Sequence, residues 1–295
     1  IPLSSTTGEG IPALHTVLDK LALEVEERTA SGVFRLPIDR VFTMKGFGTV
    51  VTGTLISGTI ALGDNVEILP HEITAKIRGI QVHNQQVEEA TAGLRTAINL
   101  QGVEKTFVER GSVLVKAKTL QPTSRVDAKI ELLKSTSKTL KNRSRMRFHS
   151  GTNEVLAQLI LLDHEDLQPG ESALAQFKLE EPVVVLPLDR FVIRSYSPVL
   201  TIGGGQVLDA HPHKHKRMTE GTISHLNGLQ SGSDKEKIGL FVSDSAMAGL
   251  DLTQLVARMG KEPAELSPLI RDLVTAKKLI LIDKDSHKVI ATHQY

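Results

Sequence analysis

The sequence predicts a mainly β chain, two small barrels followed by a compact α/β winged-helix module, on three observations. Between Arg40 and Thr54, β-branched and aromatic residues run to Met44-Lys45, Gly46 and Gly48 let the backbone turn, and Thr49-Val-Val-Thr52 leads away to Gly53. Strands this short, with further glycine turns at Gly58 and Gly63-Asp64, indicate a small closed barrel. A second all-β stretch opens after Gln121-Pro122, and residues 234–295 read as three helices and a hairpin.

Length and composition bound the function classes. With 295 residues, 40% hydrophobic and 23% charged, two to three globular domains are expected. No stretch approaches the roughly 20 apolar residues of a membrane span, and none resembles a signal peptide, so no membrane partner is expected. A net charge of +1 means that any nucleic-acid surface is local. The lack of cysteine excludes disulfides, thiol catalysis and thiolate metal sites, and suits a cytoplasmic location. The sequence opens at Ile1 without a methionine, so a fragment of something longer is expected.

Residues 1–30 place Ser4-Ser5-Thr6-Thr-Gly-Glu-Gly10 before a helical pattern at Leu14, Val17, Leu18, Leu21 and Val25. Alone, this is a strand end and a helix start; Glu9-Gly10 lacks the Lys-Ser/Thr of a phosphate loop. In the first barrel, alternation puts Phe34, Leu36, Ile38, Arg40 and Phe42 on one face and Asp39 on the other. Arg40 is then a cation in an apolar row, which is costly unless it is paired or reaches water at the strand end. Along residues 94–100, Leu94, Thr96, Ile98 and Leu100 share a face and Arg95 takes the other.

The second barrel holds the most basic stretch. Between Glu131 and Glu154 there is no acid, but there are Lys134, Lys138, Lys141, Arg143, Arg145 and Arg147. Alternation through Arg143-Ser-Arg-Met-Arg-Phe-His149 aligns three arginines and His149 on one side, with Ser144, Met146 and Phe148 inward. The row is either a solvated charged strand or a surface that tracks phosphates, and the missing counter-charges favour the latter. Gly203-Gly204-Gly205 reads as a bulge or tight turn.

His211-Pro-His-Lys-His-Lys-Arg217 could align three histidines for a metal, but the lysines between them repel cations, and a basic hinge is the better reading. Residues 221–233, rich in Gly, Ser and Asn, read as a loose connection. Helices follow over 235–247 and 251–259, the latter with Asp251 near its N-cap. A third is built on Leu266, Leu269, Ile270, Leu273 and Val274, starting at Pro268 if proline is to stand at its beginning. Leu279-Ile-Leu-Ile-Asp283 and Val289-Ile-Ala-Thr292 pair as a wing. The third helix presents Ser267, Arg271, Asp272 and Thr275, a weak cationic reading head.

Residues 40–54 are similar to the second domain of the EF-Tu-like translational GTPases, which carry a comparable G-x-G turn and V-T-G. The frame Phe34-Arg-Leu-Pro-Ile-Asp-Arg40 leading to Val50-Val-Thr-Gly-Thr54 resembles most closely their selenocysteine-specific elongation factors. So does the ending from Glu181-Pro-Val-Val-Val-Leu-Pro through Asp189-Arg-Phe-Val-Ile-Arg-Ser-Tyr-Ser-Pro198 to the triple glycine. The resemblance implies a C-terminal GTPase remnant over 1–30, barrel domains II and III over 31–120 and 121–210, a basic hinge and linker over 211–233, and the first winged helix of domain IV over 234–295. Ser4, Ser5 and Thr6 would be what remains of the guanine-contacting loop. Asp39, Arg40 and Arg95 would line the aminoacyl pocket, and Lys138, Lys141, Arg143, Arg145, Arg147 and His149 would hold tRNA backbone.

It further implies selenocysteyl-tRNA and the ribosome as partners, with the selenocysteine-insertion mRNA hairpin bound by later winged helices. GTP and Mg are expected for the intact protein. With no G-x-x-x-x-G-K-[ST], D-x-x-G or N-K-x-D here, this stretch itself is expected neither to use GTP nor to catalyse, and no cofactor or metal is expected in it. Selenols are more acidic than the cysteine thiol, whose pKa lies near 8.5. Two fixed guanidinium groups, at roughly 1.5–3 kcal/mol per charge-assisted contact, would favour the anionic selenium side chain over serine by the order of 100-fold or more. Three alternatives remain: an EF-Tu or initiation-factor γ carrier, a DNA-binding regulator built on the winged helix, and, last, a β-domain enzyme, for which no nucleophile–base pair is found.

Overall fold

The computed structural model describes residues 1–24, 31–44 and 48–295. Val25, at the end of the first helical pattern, and the turn at Lys45 and Gly46 lie outside the described residues. The chain divides into two compact units, Ile1–Ala30 and Ser31–Tyr295.

In the first unit, the backbone N–H of Ser4 donates to the Glu9 carbonyl at 3.0 Å, and Ser4 Oγ accepts from the Thr7 N–H at 3.3 Å. This turn leads into α1 (Ile11–Glu24), which buries none of its residues and leaves Val17, Leu18 and Leu21 exposed.

The second unit begins with β1 (Arg35–Met44), β2 (Gly48–Thr54), β3 (Thr59–Ala61), β4 (Asn65–Leu69), β5 (Ile73–Val82), β6 (Gln85–Val87), β7 (Glu89–Thr91), β8 (Arg95–Gln101) and β9 (Val113–Lys116). The hydrogen-bonded order β4-β9-β1-β2-β8-β5 closes because β5 also pairs with β4. Closure removes the exposed edges that short strands would otherwise present. Leu36, Ile38, Val51, Ile98, Leu100 and Leu114 fill the interior.

Alternation along β1 does not run through Arg40 as expected. The register slips between Ile38, opposite Gly53, and Arg40, opposite Thr52, so Asp39 is an extra residue in a β-bulge. Beyond it, Val41 is half-buried while Arg40 and Phe42 face water. Arg40 is therefore not a cation in a buried row; an inserted residue is invisible to a period-two pattern.

The next strands are β10 (Thr123–Leu132), β11 (Leu140–Lys141), β12 (Arg145–Ser150), β13 (Asn153–Leu161), β14 (Asp166–Leu167), β15 (Ser172–Val183), β16 (Arg190–Ser195) and β17 (Thr201–Asp209). They make a second closed barrel in the order β10-β15-β13-β12-β16-β17. Phe148, Phe177 and Phe191 form its aromatic centre, with ring centroids 4.6–5.3 Å apart. The triple glycine is neither a tight turn nor the bulge; it lies within β17, where Gly205 pairs with Ile130 and Phe191. A Cβ at Gly205 would run into the Lys129 carbonyl and the Phe191 ring, so glycine is needed for close strand approach.

The C-terminal module contains α2 (Glu220–Ser231), α3 (Asp234–Asp244), α4 (Leu252–Met259), α5 (Pro263–Thr275), β18 (Leu279–Asp283) and β19 (Lys288–Ala291). The expected loose connection is thus largely a helix. Its polar composition conceals Ile223, Leu226 and Leu229, which pack at helical spacing. Ser233 and Asp251 close capping boxes with Glu236 and Gln254, fixing the starts of α3 and α4. α5 starts at Pro263, not at Pro268; the Pro268 ring and Ala264, whose carbonyl it frees, both face solvent.

Nor do the helices stand apart from the barrels beyond a basic hinge. One apolar cluster takes Val33 and Val115 from the first barrel, Leu174 and Leu208 from the second, and Leu226, Phe241, Leu255 and Leu273 from the helices. The barrels are also joined by Arg35, which donates to both Asp189 carboxylate oxygens at 2.6 and 2.8 Å.

Two carboxylates, each 1% exposed, complete the joint: Asp127 and Asp209 stand opposite each other on β10 and β17. Arg258 of α4 donates to Asp209 at 2.6 and 3.3 Å. His215 Nε2 meets Asp127 at 2.5 Å, and Gln176 donates from one amide nitrogen to both Asp127 and the His213 carbonyl at 2.8 Å. The histidine-rich segment is therefore pinned to the barrel. Among the described residues, no three His, Cys, Asp or Glu could hold a metal.

Arg258→Ala leaves the Asp209 carboxylate buried without its guanidinium and should cost about 3–5 kcal/mol in urea unfolding. Arg258→Met combined with Asp209→Leu should regain part of that loss, and a double variant as unstable as the single one would exclude the ion pair as its source. Burial pushes the Asp127 carboxyl up to about 6. Burial alone would lower the His215 imidazole, but the hydrogen bond and charge of Asp127 outweigh it and raise its pKa. With both shifts upward, the folded chain keeps protons that the unfolded chain releases, so the pair's contribution is lost as pH rises through the folded values. The stability gap between the parent and His215→Gln should therefore be widest near pH 6, where imidazolium and carboxylate coexist, and narrow towards about pH 9; thermal melts giving a constant gap would contradict the pairing.

Candidate functional site

The bulge at Asp39 brings its carboxylate over β2 to Arg95 on β8. Arg95 donates to both Asp39 oxygens at 2.5 and 3.2 Å, and the Thr52 hydroxyl adds a bond at 2.8 Å. The Arg95 hydrogen bond, partly opposed by burial, holds the Asp39 carboxyl below its ordinary pKa, with a smaller contribution from the Arg40 charge; the same bond raises the Arg95 guanidinium. Alternation along β8 is as the sequence indicates: Thr96, Ile98 and Leu100 are buried and Arg95 is exposed.

The three expected pocket residues are thus neighbours with unequal charge. Arg95 is matched by Asp39, whereas Arg40 makes no ion pair among the described residues. Beside them on the outer face, a cavity of about 190 Å³ is lined by Phe42, Met44, Val50, Ile80, Ala97 and Asn99, with Arg78 at its edge. The Asn99 side-chain oxygen is buried there without a hydrogen-bond partner. Sequence reasoning missed this recess, although Phe42 and Met44, two apolar side chains left in water, are its signal.

On the second barrel, Arg145, Arg147 and His149 point outward from β12 while Met146 and Phe148 are buried, as expected. Arg143 precedes the strand in a turn with φ 64°, so it does not continue the row. Counter-charges are not missing either. Arg145 donates twice to Glu180 at 2.8 Å, Arg147 pairs with Glu154, and His149 Nδ1 lies 3.9 Å from the same carboxylate. The acids absent from residues 132–153 are supplied across the sheet by β13 and β15. Their arginines hold Glu154 and Glu180 below their usual pKa, while burial lowers His149. Lys138, Lys141 and Arg143 are exposed and make no ion pair among the described residues.

Ser4, Ser5 and Thr6 occupy the turn before α1. With no G-x-x-x-x-G-K-[ST], D-x-x-G or N-K-x-D in the sequence, these hydroxyls alone do not fit GTP. On α5, Asp272 is bound by Lys235 at 2.8 Å beside the exposed Arg271, so this helix presents both signs of charge. No helix among the described residues is long and apolar enough to cross a membrane.

Residues 123–214 match the family described as the selenocysteine-specific elongation factor β-barrel domain, and residues 48–115 match elongation factor Tu domain 2. The selenocysteine-specific elongation factor of Desulfomicrobium baculatum is 36% identical over 98% of this chain and 46% of its own length. That of Methanocaldococcus jannaschii is 34% identical over 71% and 48%. The apo crystal structure of elongation factor SelB from Methanococcus maripaludis matches with a TM-score of 0.63 at 28% identity, over 74% of this chain and 51% of that one. A bacterial selenocysteine-specific factor, EF-Sec, shares the fold over 98% of this chain and 45% of its own, with a TM-score of 0.74 at 22% identity. The chain spans about half the length of the curated relatives it matches. Two barrels of the expected kinds, in the expected order and joined to a winged-helix module, together with these relatives, establish that the chain belongs to the selenocysteine-specific elongation factor family.

Proposed function

We propose that this chain is the part of a selenocysteine-specific elongation factor that holds selenocysteyl-tRNA, with the aminoacyl end at Asp39, Arg40 and Arg95. The observation that carries this reading is one unmatched guanidinium, Arg40, beside a fixed Asp39–Arg95 pair and a small apolar recess. A selenolate is an anion at neutral pH and serine is not. Arg40 would offer it a charge-assisted bond, while Asp39 holds Arg95 in place as an oriented donor. Because Arg95 is already compensated and Arg40 is exposed to screening, the preference is on the order of tenfold rather than the larger value two free charges would give.

Lys138, Lys141 and Arg143 would add backbone-phosphate contacts, with Arg145, Arg147 and His149 as oriented neighbours, largely indifferent to sequence. In the intact protein, GTP binding and hydrolysis with Mg, delivery to the ribosome in the cytoplasm, and recognition of the mRNA hairpin by later winged helices complete the proposal. Affinity of the intact factor for the two charged tRNAs tests it. Arg40→Gln should weaken selenocysteyl-tRNA about tenfold more than seryl-tRNA, and Arg95→Gln should do so less, since its charge is already matched. Equal losses for both tRNAs in both variants would remove the pocket.

A further inference from the structure

A second cationic site adjoins the outward row of β12 on the second barrel, where Arg145 stands opposite Gln158 on β13. Arg125 on β10 stands directly opposite Lys178 on β15, and Lys178 opposite Gln158 on β13. Across three adjacent strands this sets two cations about 5 Å apart with no acid between them. Like charges directly opposed in a sheet are destabilising, so folding alone does not explain the pair. Over this row a cavity of about 370 Å³ is lined by Arg125, Arg143, Lys178, Lys214, His215 and Arg217, together with uncharged Gln158, Ile160 and Gln176.

The loop that roofs the cavity is held rigidly. Gln176 fixes the His213 carbonyl, Asp127 fixes His215, and Arg217 donates to the carbonyls of Leu161 and His164 at 2.6 and 2.9 Å and to Glu165 at 3.1 Å. Lys214 is thereby carried to the rim. Arg125, Arg143, Lys178 and Lys214 make no ion pair among the described residues, whereas the nearest carboxylate along β15, Glu180, is taken by Arg145.

We propose that this cleft is a phosphate-backbone site that takes a strand of RNA, extending across β13 and β15 from the outward row of β12. Four unmatched cations converging from two strands, a turn and a pinned loop suit consecutive phosphates, contacts that carry no sequence information by themselves. That the strand is RNA rests on the function proposed above.

The test is binding of a fluorescently labelled RNA hairpin of arbitrary sequence to the full chain between about 50 and 300 mM salt. Lys178→Gln and Lys214→Gln should each weaken binding several-fold at about 100 mM and flatten the logarithmic salt dependence by about 0.7–0.9. Lys178→Arg should keep the parent slope, and Lys178→Gln should melt no lower than the parent, because it relieves the repulsion from Arg125. Lys284→Gln, on the exposed turn of the wing, is the control and should change neither quantity. Parent-like slopes in both cleft variants, or an equal effect of the control, would overturn the site. Displacement of RNA by pyrophosphate at matched phosphate concentration would reassign it to a small anion. Discrimination between selenocysteyl- and seryl-tRNA should be untouched by the cleft variants, so the aminoacyl pocket and the cleft can fail separately.

Discussion

Two carboxylates that face each other across β10 and β17 impose the constraint on which the second unit depends. Both carboxylates are deeply buried, and burial together with the neighbouring Asp209 charge raises the cost of ionising Asp127. Each therefore requires its own partner, and the two partners come from different segments. Asp209 takes Arg258 from α4; Asp127 takes His215 from the segment after the barrel, with Gln176 bridging to that segment's backbone. A polar requirement inside one barrel thus fixes both the path of the chain leaving it and the docking of the helices beyond. Buried ion pairs contribute little net stability compared with an apolar replacement, but removing one member is costly. Their effect here is to select one arrangement of three modules that already share an apolar cluster.

The first barrel positions its site by a different device. A closed barrel with strict alternation would send Asp39 outward, towards Arg95, but turn Arg40 to the interior. One extra residue at Asp39 resets the alternation and exposes Arg40 beside the Asp39–Arg95 pair. Bulges in sheets commonly re-aim side chains in this way. The outcome is a fixed ion pair beside a free cation, an arrangement that orients a donor without doubling the charge.

Closely spaced strands and glycine turns made both barrels legible in the sequence, and the spacing of Leu266, Ile270 and Leu273 made α5 legible. The outward Arg95 and the alternation from Arg145 to His149 were also correct. What escaped notice has physical causes. The bulge at Asp39 adds one residue that no periodicity registers. α2 has too few apolar residues to stand out among Gly, Ser and Asn, yet Leu226 and Leu229 suffice once a neighbour covers them. Gly203–205 looked like punctuation because glycine usually ends strands, whereas here it admits neighbouring backbones into a tight barrel.

The charges are the most instructive case, because sequence neighbours and spatial neighbours differ in a sheet. Residues 132–153 contain no acid, yet Glu154 reaches Arg147 from the adjacent β13, and Glu180 reaches Arg145 from β15, one strand further on. Conversely, Arg125 and Lys178 stand near acids in the sequence and look unremarkable, but strand register and the pinned loop bring them together with Lys214 unmatched among the described residues. Local charge density in a β protein therefore identifies a basic strand without identifying a basic surface. The surface depends on which carboxylates the register brings within about 4 Å, since at that distance an opposite charge offsets most of the attraction a phosphate would otherwise feel. By that criterion the flank of β10, β15 and the loop beyond residue 213 carries more available charge than the strand whose sequence is richest in arginine.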